Sequence, residues 1–197
     1  IGKNLKISPS FTYKRQLPWN ATSEFVKEID LDKENKYNGA YSELYYDVMV
    51  ERFVPSLLVS YDFMDKNNML FGVEYTYDKY EVLSVLRDEE LTKENYNNIA
   101  AFGQIIFNTK YVNITAGARY DYHNEVGGAF VPRIALTKAF DKISFKLLAS
   151  RAFRQPSIAN IEYYKPFEAL PEEQVHGSIK PETTTVLEFE TGFNFTK

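Results

Sequence analysis

A strict two-residue alternation constrains this chain more than any other feature. It is clearest where Val112, Ile114, Ala116, Ala118, Tyr120 and Tyr122 interleave with Asn113, Thr115, Gly117, Arg119 and Asp121. Successive side chains of an extended strand point to opposite faces, so this stretch predicts a strand with one apolar and one polar side. The pattern recurs along the chain. Leu5, Ile7, Phe11 and Tyr13 share one parity, and Met69, Phe71, Val73, Tyr75 and Tyr77 follow a turn at Asp65-Lys66-Asn67-Asn68. Further strands are expected over residues 99–107, through Ile134, Leu136 and Phe140, and through Ile143, Phe145 and Leu147. A last one places Leu187, Phe189, Phe193 and Phe195 against Glu188, Glu190, Gly192 and Asn194. Between residues 43 and 62 the apolar parity switches, from Tyr46, Val48 and Val50 to Leu57, Val59 and Tyr61. A bulge at Pro55 is expected there, because proline cannot donate to a ladder and one extra residue exchanges the faces.

Composition narrows the classes. The 15 Tyr and 15 Phe lean toward strands. Cysteine is absent, which removes disulfides, zinc–thiolate centres and thiol nucleophiles. A net charge of -4 gives no electrostatic footprint for nucleic acid. The chain holds no apolar run long enough for a transmembrane helix, and its N-terminal residues do not form a signal peptide. A mean hydropathy of -0.38 still suits a membrane barrel, whose strands are apolar only at alternate positions.

About eight strands result, and their connections alternate in length. They run long (15–41), short (65–68), long (81–98), short (108–110), medium (123–130), short (140–142) and long (152–182). In an antiparallel up-and-down meander alternate connections share an end, so the short ones gather on one side and the long ones on the other. Outer-membrane barrels show this arrangement. A soluble β-sandwich or a lipocalin-like barrel would also alternate. Tyr and Phe near strand ends, as an interfacial girdle requires, and Glu74, Arg119, Asp121, Glu188 and Glu190 on the other parity favour the membrane barrel.

Within the long connections, Thr22 or Ser23 is placed to cap a short helix over residues 24–29. Asp30, Asp32 and Glu34 alternate like calcium ligands, but Asn35 stands where such a loop needs glycine, and a solvated face is expected instead. Leu83, Leu86 and Leu91 suggest a loop with a helical turn over 81–98. The sequons at Asn20, Asn113 and Asn194 carry no meaning in a bacterial outer membrane.

A resemblance joins several of these segments. Gly117-Ala118-Arg119-Tyr120-Asp121, Val131-Pro132-Arg133-Ile134-Ala135-Leu136, Ser150-Arg151-Ala152-Phe153-Arg154-Gln155-Pro156-Ser157, Ile179-Lys180-Pro181-Glu182 and Glu188 to Gly192 resemble the successive barrel motifs of TonB-dependent outer-membrane receptors. Order and spacing match over residues 99–195. The resemblance implies an all-β segment of a transmembrane β-barrel of about 22 strands, closed in the whole receptor by a plug. It also implies uptake of a ferric siderophore, haem or cobalamin across the outer membrane of a Gram-negative bacterium, driven by the TonB complex through that plug. Residues 1–197 show no plug and no TonB box, and the chain does not finish on an aromatic residue, so a partial barrel domain cut on both sides is expected.

Six motif residues stand out: Phe153, Arg154 and Pro156 at one foot of the long last loop, and Lys180, Pro181 and Glu182 at the other. Arg154 is expected to pin the loop base through charge-assisted hydrogen bonds to Glu182 or Glu188, with Pro156 and Pro181 ending the ladder. Within the loop, Tyr163 and Tyr164 offer aromatic surface among Glu162, Glu168, Glu172 and Glu173. His176 occupies the interval in which haem-uptake members of the family carry an axial histidine, though the Asn-Pro of the following box is missing. No resident cofactor or metal is implied; haem enters only as cargo.

Catalysis finds no support. The two histidines, His123 and His176, have no marked serine beside them, and no Gly-x-Ser-x-Gly occurs. The rival reading is a complete eight-stranded barrel with a structural or adhesive role. It requires the strand near Leu5 to pair with the strand near Phe193, whereas a segment leaves both edges open.

Overall fold

The computed structural model describes residues 4–19, 47–64, 66–84, 93–158, 160–161 and 179–195. Its elements are strands β1 (Leu5–Trp19), β2 (Asp47–Phe63), β3 (Asn67–Ser84), β4 (Lys93–Asn108), β5 (Asn113–His123), β6 (Gly127–Ala139), β7 (Ile143–Arg154) and β8 (Glu182–Phe193). Each is hydrogen-bonded to the next in chain order, giving one eight-stranded sheet with β1 and β8 at the two ends of that order. Among the described residues, β1 and β8 are not neighbours in that order, as a complete small barrel would require.

By its internal contacts the chain divides into two compact units. One comprises Ile1–Ser10, Pro55–Tyr75 and Asn98–Lys197, the other Phe11–Val54 and Thr76–Asn97. In the first, the register is continuous and antiparallel. Ile114 faces Phe107 and Leu136, Leu147 faces Leu136 and Phe189, and Ala149 faces Ile134 and Leu187. Apolar side chains thus fall in rows across β4 to β8. From Ile114 to Tyr122 such a row is about nine residues long, the length a tilted strand needs to cross a bilayer.

These rows are not covered. Ile99, Phe107, Tyr120, Phe130, Ile134, Phe145, Leu147, Leu187 and Phe189 are exposed, while the buried apolar residues of this unit are mostly small, such as Ala100, Ala129 and Ala135. A soluble sandwich packs its apolar face against a second sheet, and among the described residues none lies over this one. The opposite face carries Gln104, Arg119, Asp121, Arg133, Lys146, Glu188 and Glu190.

The second unit shows aromatic rings giving way to polar groups. Tyr13 packs against Phe53 with centroids 5.0 Å apart, and Phe53 lies 6.1 Å from Tyr77. The tyrosine hydroxyls donate to Glu51 and to Asn95, each at 2.7 Å. Lys79 with Glu51 and Lys93 with Glu81 continue the same parity as ion pairs. A greasy ring with a wet tip is what an interfacial position selects.

Several expectations need correction. Residues 81–84 and 93–98 are strand, not a loop with a helical turn. The medium connection over 123–130 is a three-residue turn at 124–126, and β6 starts at Gly127, whose φ of +78° suits glycine. The helix expected over 24–29 and the acidic triplet Asp30, Asp32 and Glu34 lie outside the described residues.

Candidate functional site

The short turns are built by side chains that occupy orphan backbone groups. Thr109 Oγ1 donates to the Val112 carbonyl at 2.7 Å and accepts from the Val112 N–H at 3.0 Å, closing the turn between β4 and β5. Buried Asn67 accepts the Asn108 N–H at 2.7 Å, and Asn108 donates in return to the Lys66 carbonyl. Beside this clamp, Met64 and Lys66 adopt left-handed backbone conformations with φ of 51° and 71°. The long segment 155–181 joins β7 to β8 at the opposite end of β7 from the short turn at 140–142.

At the foot of this long segment, the β7–β8 ladder ends on the pair Arg154 and Glu182. Pro156 and Pro181 lie just beyond it. Arg154 donates to Glu182 at 2.9 Å, with both side chains largely exposed at 77% and 69%. So open a pair contributes on the order of 0–1 kcal/mol; it orders the loop base more than it stabilises the sheet. Phe153 faces Thr183 and is half-buried. Past Pro156 the chain makes one turn: Ser157 Oγ accepts the Asn160 N–H at 3.2 Å and its carbonyl accepts the Ile161 N–H at 3.1 Å. Ile161 is buried under that turn. A cleft of about 300 Å³ opens here between Arg154, Pro156, Asn160, Lys180 and Glu182. The structure therefore brings Arg154, Pro156, Lys180 and Glu182 around one cleft, with Phe153 and Pro181 beside them. Tyr163, Tyr164 and His176 lie outside the described residues.

The polar face carries a second cluster, whose charged members Glu74, Arg119 and Asp121 were visible in sequence but whose pairing was not. Arg119 donates from Nε and Nη2 to the two oxygens of Asp121 at 2.7 and 2.8 Å, and from Nη2 to Glu74 at 2.9 Å. Its guanidinium lies 5.4 Å from the centroid of the Phe102 ring. Asn98 adds a hydrogen bond to Asp121 at 3.2 Å. Asp121 is deeply buried, and these donors supply what its charge loses in hydration. The tip of the Phe102 ring in turn reaches over Gly72, where a Cβ would come within 2.3 Å of Cζ. Three strands are thereby tied through one stack. Farther along, Lys146 bridges Glu188 at 2.8 Å and Glu190 at 3.2 Å. Paired charges of both signs on one face, and uncovered hydrocarbon on the other, fit a wall between water and lipid.

Comparison with known proteins matches this geometry. The family profile described as TonB dependent receptor-like, beta-barrel covers residues 3–197. No curated protein sequence matches significantly. A mutant of the ferric enterobactin receptor from Pseudomonas aeruginosa is similar in fold, with TM-score 0.54 and 13% identity over 80% of this chain and 24% of that one. The siderophore receptor PirA from Acinetobacter baumannii is similar with TM-score 0.55 and 15% identity, over 96% of this chain and 30% of that one. The chain thus spans less than a third of the length of the receptors it resembles. At these identities the structures speak for the fold, and the profile, matched along nearly the whole chain, speaks for the family: this chain belongs to the TonB-dependent receptor β-barrel family.

Proposed function

We propose that the chain forms part of the barrel wall of an outer-membrane receptor that takes up a scarce nutrient, with a ferric siderophore as the favoured class. The family match over residues 3–197 carries this reading. The division of the sheet into an uncovered apolar face and a charge-paired polar face supports it: Leu147 and Leu187 would meet lipid, while Arg119 and Lys146 would line the aqueous interior. The long connections would lie at the cell surface, with Arg154 and Glu182 holding the feet of the last one. Tyr163, Tyr164 and His176 are proposed to contact ligand within it. The plug and the TonB contact would belong to the parts of the receptor this chain does not include, so transport is a property of the whole protein.

The test is disruption of the gene in its own host, followed by growth under iron limitation on separate ferric chelates and haem, with cobalamin uptake assayed alongside. Loss of growth on one iron source, restored by the intact gene and abolished by a protonophore, supports the proposal. Unchanged uptake of every compound contradicts it.

A further inference from the structure

Part of the sheet is left unpaired between two complete ladders. The β5–β6 ladder continues up to His123 and Gly127, and the β7–β8 ladder up to Arg154 and Glu182. The β6–β7 ladder between them stops earlier, at Arg133 and Ser150. Pro132, the next residue, has no N–H to donate to a ladder. Among the described residues, no backbone pairing joins residues 127–132 to residues 151–154. A cleft of about 560 Å³ opens at this notch, lined by Gly128, Phe130, Arg151, Lys180 and Thr183.

Successive residues of an antiparallel strand turn their N–H and C=O groups alternately to the two neighbouring strands. Residues 127–132 therefore direct one set at β5 and the other into the notch, and residues 151–154 do the same from the opposite side. Pro132 faces Ala118 and Phe130 faces Tyr120. Both partners belong to the outward row from Ile114 to Tyr122, so the notch begins within the span of that row. Hydrocarbon satisfies no backbone group, and an open sheet edge is costly in it. A lipid tail cannot close the notch, because it offers neither donor nor acceptor. An extended peptide offers both along each of its edges.

We propose that the notch between β6 and β7 takes one extended segment of a partner protein, which completes the sheet by pairing with the free edges of both strands. Seating it sets the free halves of β6 and β7 about 9–10 Å apart, two strand spacings, with the last ladder pair as the hinge. Arg151 and Lys180 at the rim select a segment that carries a carboxylate there. Phe130, exposed on the outward face, selects apolar residues at alternate positions of the segment. The inference rests on the membrane reading of the apolar face.

The probe is a short synthetic peptide that alternates valine and threonine and ends in two aspartates, offered to the intact receptor in lipid nanodiscs. Hydrogen exchange should find the amides of residues 128–131 open in the receptor alone and protected once the peptide binds. N-methylation along one edge of the peptide should weaken binding about tenfold, the scale of one or two lost hydrogen bonds. R151A/K180A should weaken binding of this peptide and leave a version ending in asparagines unaffected. Because the chain has no cysteine, V131C and A152C, which would face each other if the ladder went on, can staple the notch shut in a receptor that is otherwise cysteine-free. Binding should vanish on oxidation of this pair and return on reduction. Heat-dependent electrophoretic migration shows that each variant is folded. Equal binding of the N-methylated peptide, or equal binding by the stapled receptor, overturns the proposal. So does protection of the same amides before any peptide is added, which would mean that the receptor fills the notch itself. Failure of the protein to insert into vesicles would instead overturn the membrane reading.

Discussion

Gly72 offers the sharpest packing test. A Cβ built there meets Phe102 Cζ at 2.3 Å and the two Cε atoms at 2.6 and 2.9 Å, so Gly72→Ala cannot be accommodated without moving the ring. A free ring would swing away cheaply. This one is capped by the Arg119 guanidinium at 5.4 Å, itself fixed by Asp121 and Glu74. Overpacking of this kind costs about 1–3 kcal/mol, while replacing glycine within a strand returns about 0.5–1 kcal/mol. The net expectation is a loss of about 1–2 kcal/mol, with the steric term winning. Phe102→Ala removes the clash, so the double variant should be more stable than the sum of the single changes by about 1 kcal/mol or more. Urea unfolding of the intact receptor in lipid vesicles, followed by electrophoretic migration, measures all four corners of the cycle. Gly72→Ala equal to the parent, or single changes that simply add, would refute the stack as described.

Other expectations follow from the same contacts. Asn67→Ala removes the buried acceptor of the part-buried Asn108 N–H and should cost about 1 kcal/mol in the same unfolding assay, the net worth of one such hydrogen bond. An Arg154→Ala and Glu182→Ala cycle should show coupling of at most about 1 kcal/mol, since both groups are open to solvent. A larger value would mean the loop base is more closed than its exposure indicates. The hydrogen bond from Lys93 holds the Glu81 carboxyl below the ordinary carboxylate range. The pair's contribution is therefore present at neutral pH and fades as pH falls through the lowered value. An NMR titration should find the Glu81 midpoint rising in Lys93→Ala; an unchanged midpoint would count against the pair.

Much of this fold was legible in the sequence because one face of the sheet is apolar and the other polar, so alternation is strong wherever both conditions hold. β5 is the clearest case, and its outward row runs from Ile114 to Tyr122 as its spacing predicts. Legibility failed where the outward face turns polar while rings such as Tyr80 and Tyr96 are buried on the other. Past Tyr77 the outward parity carries Lys79 and Glu81, and β4 opens on Lys93 and Asn95, so nothing in the spacing distinguished strand from loop. Gly127-Gly128 looked like a loop for a different reason. Gly128 belongs to β6 and leaves room for Tyr120, whose hydroxyl would lie 2.5 Å from an added Cβ. Arg119, Asp121 and Glu74 were readable as polar-face residues, but the reach of Arg119 across β4 to Glu74 depends on register, which no local pattern encodes. For the loop base, the two proline feet marked where the ladder ends, and the ladder does end at Arg154 and Glu182.

The central claim is that one parity of these strands meets lipid and the other water. Because the chain has no cysteine, single cysteines can be placed along β7 from residue 143 to 151 in the intact receptor, provided the rest of it is also cysteine-free, and spin-labelled in vesicles. Collision with lipid-soluble oxygen should peak at positions 143, 145, 147 and 149, and collision with a water-soluble nickel chelate at 144, 146, 148 and 150. Accessibility without this two-residue period, or with oxygen favouring the positions of Lys146 and Ser150, would contradict the account.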